Sequence, residues 1–326
     1  MSTICTRRKF LTTATQAVAG VTLTGWAVAA RGQPTGGASS FTVIDTHTHF
    51  YDPTRAEGVP WPPRDDKLLY RPVLPKNYRA QPVPRPVTGT VVVEASPWLE
   101  DNQWILDLAA HDSFIVGFVG NLPAGTAPFA GHLKRFAANP LFRGIRLGER
   151  KLDVGQTDAF ISDLKLLADH DLSLDLLGGM EILPFADRLA MEVPSLRIII
   201  NHLAGLAVDG KAPPADWVRQ METLAKRPNI YCKLSGLVEG TGRSDGSAPS
   251  DVEFYRPVLD AMRSMFGPER LIYASNWPVS GRFAPLATVQ GIIGDYFRSL
   301  GRRVEEMIFS QNAKAAYRWV QREKTP

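Results

Sequence analysis

Eight short apolar runs, separated by helical stretches, constrain the fold more than any other feature of the chain. They fall at 41–46, 90–94, 114–119, 142–147, 172–177, 197–201, 229–234 and 271–275. Most are rich in Val, Ile, Leu, Phe or Tyr, as strands buried on both faces must be. Helical patterns lie between most of them, at Asp101–Ala110, Ala127–Ala138, Ala159–Ala168, Ile182–Met191, Ala215–Ala225, Val252–Phe266 and Pro285–Leu300. Several begin behind Asp, Ser or Pro, which fits helix N-termini. This alternation predicts an α/β fold, a single (β/α)8 TIM barrel over residues 41–322. An open doubly wound sheet would usually carry a glycine-rich phosphate loop after an early strand, and none is present. At 326 residues, 44% hydrophobic and 21% charged, the chain has enough apolar side chains for a sizeable core and is not of disordered composition.

The first thirty residues read as an address and not as part of the barrel. Arg7-Arg8-Lys9-Phe10-Leu11 precedes a mildly apolar stretch that ends in Ala27-Val28-Ala29, a small-x-small cleavage pattern. The paired arginines predict a twin-arginine-type signal peptide at 1–30, a linker at 31–40 and export to the periplasm, with the membrane met only through that segment. Its removal takes three of the 37 basic residues and none of the 33 acidic ones, so the formal charge falls from +4 to about +1. The basic balance therefore reflects targeting, and no nucleic-acid partner is expected. Cys5 would leave with the signal and Cys232 would remain alone, so no internal disulfide is expected.

One connection departs from the regular alternation. Residues 50–88, just after the first strand, hold nine prolines and little helical pattern. A long irregular loop in a compact domain is usually functional, so this Pro-rich loop is expected to wall or cover the strand ends. Packing outside the barrel is the alternative. The Gly- and Ser-containing segment 237–251 is a second loop on the same side.

In such barrels the chemistry sits at the C-terminal ends of the strands. The first strand ends on His47 and His49, whose alternation puts both side chains on one face. The second ends on Glu94, the third reaches Asn121 and the fourth ends on Arg146. Asp175, Asn201-His202 and Lys233 belong to the next three. The eighth runs into Ser275-Asn276-Trp277. Polar residues near all eight ends are hard to explain as packing, because buried polar groups must be paired or they cost stability. His111, His132 and His170 sit in or near helices and read as structural or surface residues.

The segments Ile44–Phe50, Gly117–Leu122, Arg143–Gly148, Leu174–Gly179, Asn201–Gly205, Cys232–Leu237, Tyr273–Val279 and Asn312–Trp319 together resemble the amidohydrolase superfamily, in particular its amidohydrolase 2 branch of metal-dependent TIM-barrel hydrolases. The resemblance spans Ile44 to Trp319. It implies that His47, His49 and His202 bind a divalent metal such as zinc, and that Arg146 grips an anionic small-molecule substrate, as a guanidinium fork can. A salt bridge to Asp175 or Glu94 is the alternative for Arg146. At the eighth strand the superfamily places Asp as metal ligand and general base, whereas this chain has Asn276. An amide accepts no proton at neutral pH and is a poor zinc ligand. Either three histidines hold zinc with one open position, or the site is metal-free and the histidines polarise a carbonyl directly.

Asp175 and Glu94 are then the candidate bases by position, with a histidine free of metal as the third, and Asn276 would bind substrate or water. Lys233 would stabilise an oxyanion or pair with one of those acids, and Trp61 and Trp277 are candidate substrate-binding walls. The expected activity is hydrolysis of a small lactone or related ester. A decarboxylase or hydratase on the same scaffold, or a binding protein that lost its chemistry at position 276, are the alternatives.

Overall fold

The computed structural model describes residues 41–148 and 157–323. The expected signal peptide at 1–30 and linker at 31–40 lie outside the described residues. Eight parallel strands pair in sequence order: β1 (Ile44–Thr48), β2 (Gly89–Val93), β3 (Ile115–Gly120), β4 (Phe142–Gly148), β5 (Ser173–Leu177), β6 (Arg197–Ile200), β7 (Ile230–Lys233) and β8 (Leu271–Ile272). The seam between β8 and β1 is held beyond the short last strand. Tyr273 O accepts from Thr46 N at 3.3 Å and Thr46 Oγ1 at 2.7 Å, and Trp277 O accepts from His49 N at 2.9 Å. The result is a nearly closed (β/α)8 barrel. β8 is shorter than the expected 271–275, because beyond Ile272 the chain bends away, reaching a left-handed backbone at Asn276 with φ 59°.

Period-two alternation sorts the strand side chains into two apolar clusters. Ile145, Leu147, Leu174, Leu176, Ile198, Ile200 and Cys232 face the helices and join the large outer core. Val91, Val93, Val119, Ile199 and Ile272 belong to a smaller cluster together with Tyr317 and Trp319 from the C-terminal segment. That segment closes the end of the barrel opposite the strand C-termini. Val320 N donates to Val116 O at 2.8 Å, and Arg322 Nη1 donates to the carbonyls of Ala109, Asp112 and Ile115. The Pro-rich connection holds one short helix, Pro75–Arg79, and a bridge between Tyr51 and Val73.

Candidate active site

The innermost layer is polar and buried. Asp175 (β5), Lys233 (β7) and His47 (β1) are each fully buried. Lys233 Nζ donates to Asp175 Oδ2 at 2.6 Å and to His47 Nδ1 at 3.0 Å, and Tyr317 OH donates to Asp175 Oδ1 at 2.8 Å. Burial lowers the Lys233 pKa and the Asp175 carboxylate opposes that shift, so the two form a buried ion pair. An ammonium can only donate. The Nδ1 of His47 is therefore the acceptor, and neutral His47 carries its proton on Nε2. That nitrogen is buried and has no hydrogen-bond partner.

The other two imidazoles lie against His47, with ring centroids 4.9 Å away for His49 and 4.5 Å for His202. His49 Nδ1 lies 2.9 Å from Val93 O, an obligate acceptor, so Nδ1 holds the proton and Nε2 the lone pair. His202 Nδ1 lies 2.8 Å from Ser235 Oγ. His202, Leu203 and Ala204 all have left-handed backbones, with φ between 51° and 53°. The chain turns sharply there, and the ring meets Ser235 just beyond β7. All three histidines are held below the ordinary imidazole range. Burial is the main cause, reinforced by Lys233 for His47 and His202 and by Arg146 for His49, which falls to about 3. They are neutral across the physiological range.

Above this layer opens a cavity of about 580 Å³, lined among others by His49, Trp61, Glu94, Arg146, His202 and Asn276. Arg146 Nε donates to Glu94 Oε1 at 2.9 Å and its Nη2 to Glu94 O at 2.7 Å. Trp61, from the Pro-rich connection, packs edge-on to His49 at 5.8 Å. The structure thus brings six of the ten sequence-derived site residues to one cavity wall, with His47 just beneath. Asp175 and Lys233 lie deeper, engaged with each other. Trp277 is buried against Tyr78 with ring centroids 5.3 Å apart and does not line the cavity.

Two carboxylates escaped the sequence reading. Asp45 is buried beside His47 and accepts from Tyr78 OH at 2.7 Å, Ser275 N at 2.9 Å and His47 N at 3.1 Å, so it ties β1 to the chain beyond β8. Burial raises its pKa. Glu239, in the turn after β7, accepts from Asn276 Nδ2 at 2.8 Å. Burial pushes it up to about 7. Asp45 stands beside the His-x-His motif and was legible as part of it. Glu239 stands in a loop and carried no local signal beyond the Gly- and Ser-containing segment around it.

The residues present do not fit a zinc ion. A zinc site needs at least three ligating lone pairs from the protein. The lone pair of His47 is taken by Lys233, and position 276 offers an amide already turned toward Glu239. Among the described residues no group of three His, Cys, Asp or Glu side chains is placed to hold a metal ion.

The sequence pattern of the amidohydrolase family matches residues 44–319. The chain belongs to that family, and it is a hydrolase. It is 32% identical over 292 residues to an L-fucono-1,5-lactonase of Burkholderia ambifaria, covering 84% of this chain and 95% of the relative. A second L-fucono-1,5-lactonase, from Burkholderia multivorans, is 28% identical over 247 residues, 72% of this chain and 82% of that one. The fold is shared with the crystal structure of a Burkholderia multivorans amidohydrolase with bound zinc, at a TM-score of 0.74 and 23% identity over 85% of this chain and 99% of the other.

Proposed function

We propose that this protein opens a small sugar-type lactone by attack of water on the ring carbonyl. One observation carries the reading: the His47 Nε2–H is buried, unpartnered and packed against two neutral imidazoles, His49 and His202, that line a cavity with room for a small sugar-type ring. A carbonyl oxygen that reaches the His47 Nε2–H supplies the missing acceptor, and negative charge developing on that oxygen strengthens the bond. Arg146 lines the wall with its guanidinium steadied by Glu94, ready to bind a carboxylate or hydroxyls of the substrate. Trp61 offers an apolar face at the mouth. The similarity to the two L-fucono-1,5-lactonases supports the substrate class.

In this reading the protein's own groups carry the reaction without a metal. The test is a panel of five- and six-membered aldonolactones, assayed by acid release after dialysis of the protein against a strong chelator. The expected result is turnover of at least one lactone, unaffected by the chelator. Release of carbon dioxide from a carboxylated substrate, with no ring opening, would favour a decarboxylase instead. Loss of turnover on chelation with recovery on added zinc would overturn the metal-free arrangement. We also propose that the leader directs export to the periplasm, on the strength of its paired arginines and small-x-small end.

A further inference from the structure

The eighth strand end presents an amide where proton abstraction calls for an acid. Asp175 is enclosed by Lys233 and Tyr317 below the cavity, and Glu94 is held by Arg146. Glu239 is different. Its partners are the Asn276 amide and backbone N–H groups of its own turn, and among the described residues it makes no ion pair. The turn that carries it is seated against the site. Gly236 has φ +83°, and a Cβ there would come within 2.8 Å of the His202 Cβ. Asn276 in turn lies beside His49 on the cavity lining. Glu239 is thus one side chain removed from the histidine cluster, on the flank where the superfamily's acid would stand.

We propose that Glu239 is the proton acceptor of this site, displaced from the eighth strand to the turn after β7, with Asn276 as the positioning residue that orients its carboxylate. This rests on the hydrolytic reading above. As the water oxygen bonds to the carbonyl carbon, its proton passes to the Glu239 carboxylate. The tetrahedral intermediate then collapses, the ring C–O bond breaks, and the Glu239 acid returns that proton to the leaving alkoxide. Lactone and water give the hydroxy acid with no change in oxidation state. Burial without a cationic partner holds Glu239 near neutrality, where a general base is most effective. The titratable groups that face it are Tyr255, which senses its charge and is itself raised to about 12, and the neutral His49 and His202 beyond Asn276. Arg243 lies beyond Tyr255.

The experiment compares wild type, Glu239→Gln and the double variant Glu239→Gln/Asn276→Asp on the best lactone from pH 5 to 9. Glutamine keeps the size and the oxygen that accepts from Asn276. The wild type should lose kcat as pH falls through about 7, because the base must be deprotonated. Glu239→Gln should lose about 10²–10⁴-fold in kcat with little change in KM and no such limb. The double variant, with an acid restored at position 276, should recover part of the rate with an acidic limb at a different pH. Wild-type rates and an unchanged pH profile in Glu239→Gln would overturn the assignment of Glu239 while leaving the lactonase reading intact. If Glu239→Gln were poorly folded, a wild-type profile without a limb between pH 6 and 8 would overturn it equally. Wild-type protein inactive on every lactone would overturn the hydrolytic reading and this assignment with it.

Discussion

At the scale of the residue, Lys233 decides the character of the site. Its bond to His47 Nδ1 forces the proton onto Nε2 and turns a potential metal ligand into a hydrogen-bond donor. Replacing Lys233 by Met leaves Asp175 buried without its counter-ion, a change that typically costs about 3–5 kcal/mol. Urea unfolding should show that loss, and the double change Lys233→Met/Asp175→Leu should recover most of it. Equal stability of wild type and Lys233→Met would mean the pair is not charged.

The three histidines also set a pH dependence. Their folded pKa values lie below the unfolded value near 6.5, so their contribution is fully present above about pH 6.5 and is lost as pH falls. Glu239, raised to about 7, works in the opposite sense between roughly pH 4.5 and 7 and offsets one of the three. Asp45, also raised, works in the same sense as Glu239, but the three histidines outweigh them, so unfolding takes up protons and stability should fall as pH drops below about 6.5. Denaturant midpoints that stay level from pH 7.5 to 5.5 would show that the rings protonate within the fold.

At the scale of the element, the turn after β7 is held tightly against the site. Gly236 combines a left-handed backbone with backbone and side-chain atoms of His202 within 2.9 Å of a would-be Cβ, whereas Gly242, with φ +69°, has open space around it. Gly242→Ala should therefore cost only the backbone penalty, about 1 kcal/mol, with turnover retained. Gly236→Ala adds displacement of His202 and should lower kcat more than tenfold, measured beside thermal unfolding of both variants. Equal effects of the two changes would show that His202 gives way freely. Strand existence was legible because runs such as Val91–Val93 and Ile198–Ile200 are short and apolar. The end of β8 was not, because Tyr273 to Ser275 look as strand-like as Ile272, and the bend is imposed by contacts with β1.

At the scale of the whole molecule, the leader and the barrel are separate propositions. Changing Arg7 and Arg8 to Lys should retain the protein in the cytoplasm while leaving the activity of the isolated barrel unchanged, checked by fractionation and lactone turnover. Undiminished export of that variant would remove the twin-arginine reading. Periodicity and strand-end polarity, both local properties, determined the barrel and the ring of candidates His47, His49, Glu94, Arg146, His202 and Asn276, because a parallel barrel brings all its strand ends to one face. Only the tertiary structure decided what those residues meet. Asp175 meets Lys233 and Tyr317, 58 and 142 positions away, and Trp277 turns inward to Tyr78. Glu239 entered through a hydrogen bond to Asn276 across 37 positions. Proton position, pKa and metal affinity depend on which groups meet across the barrel, and sequence spacing does not record those meetings.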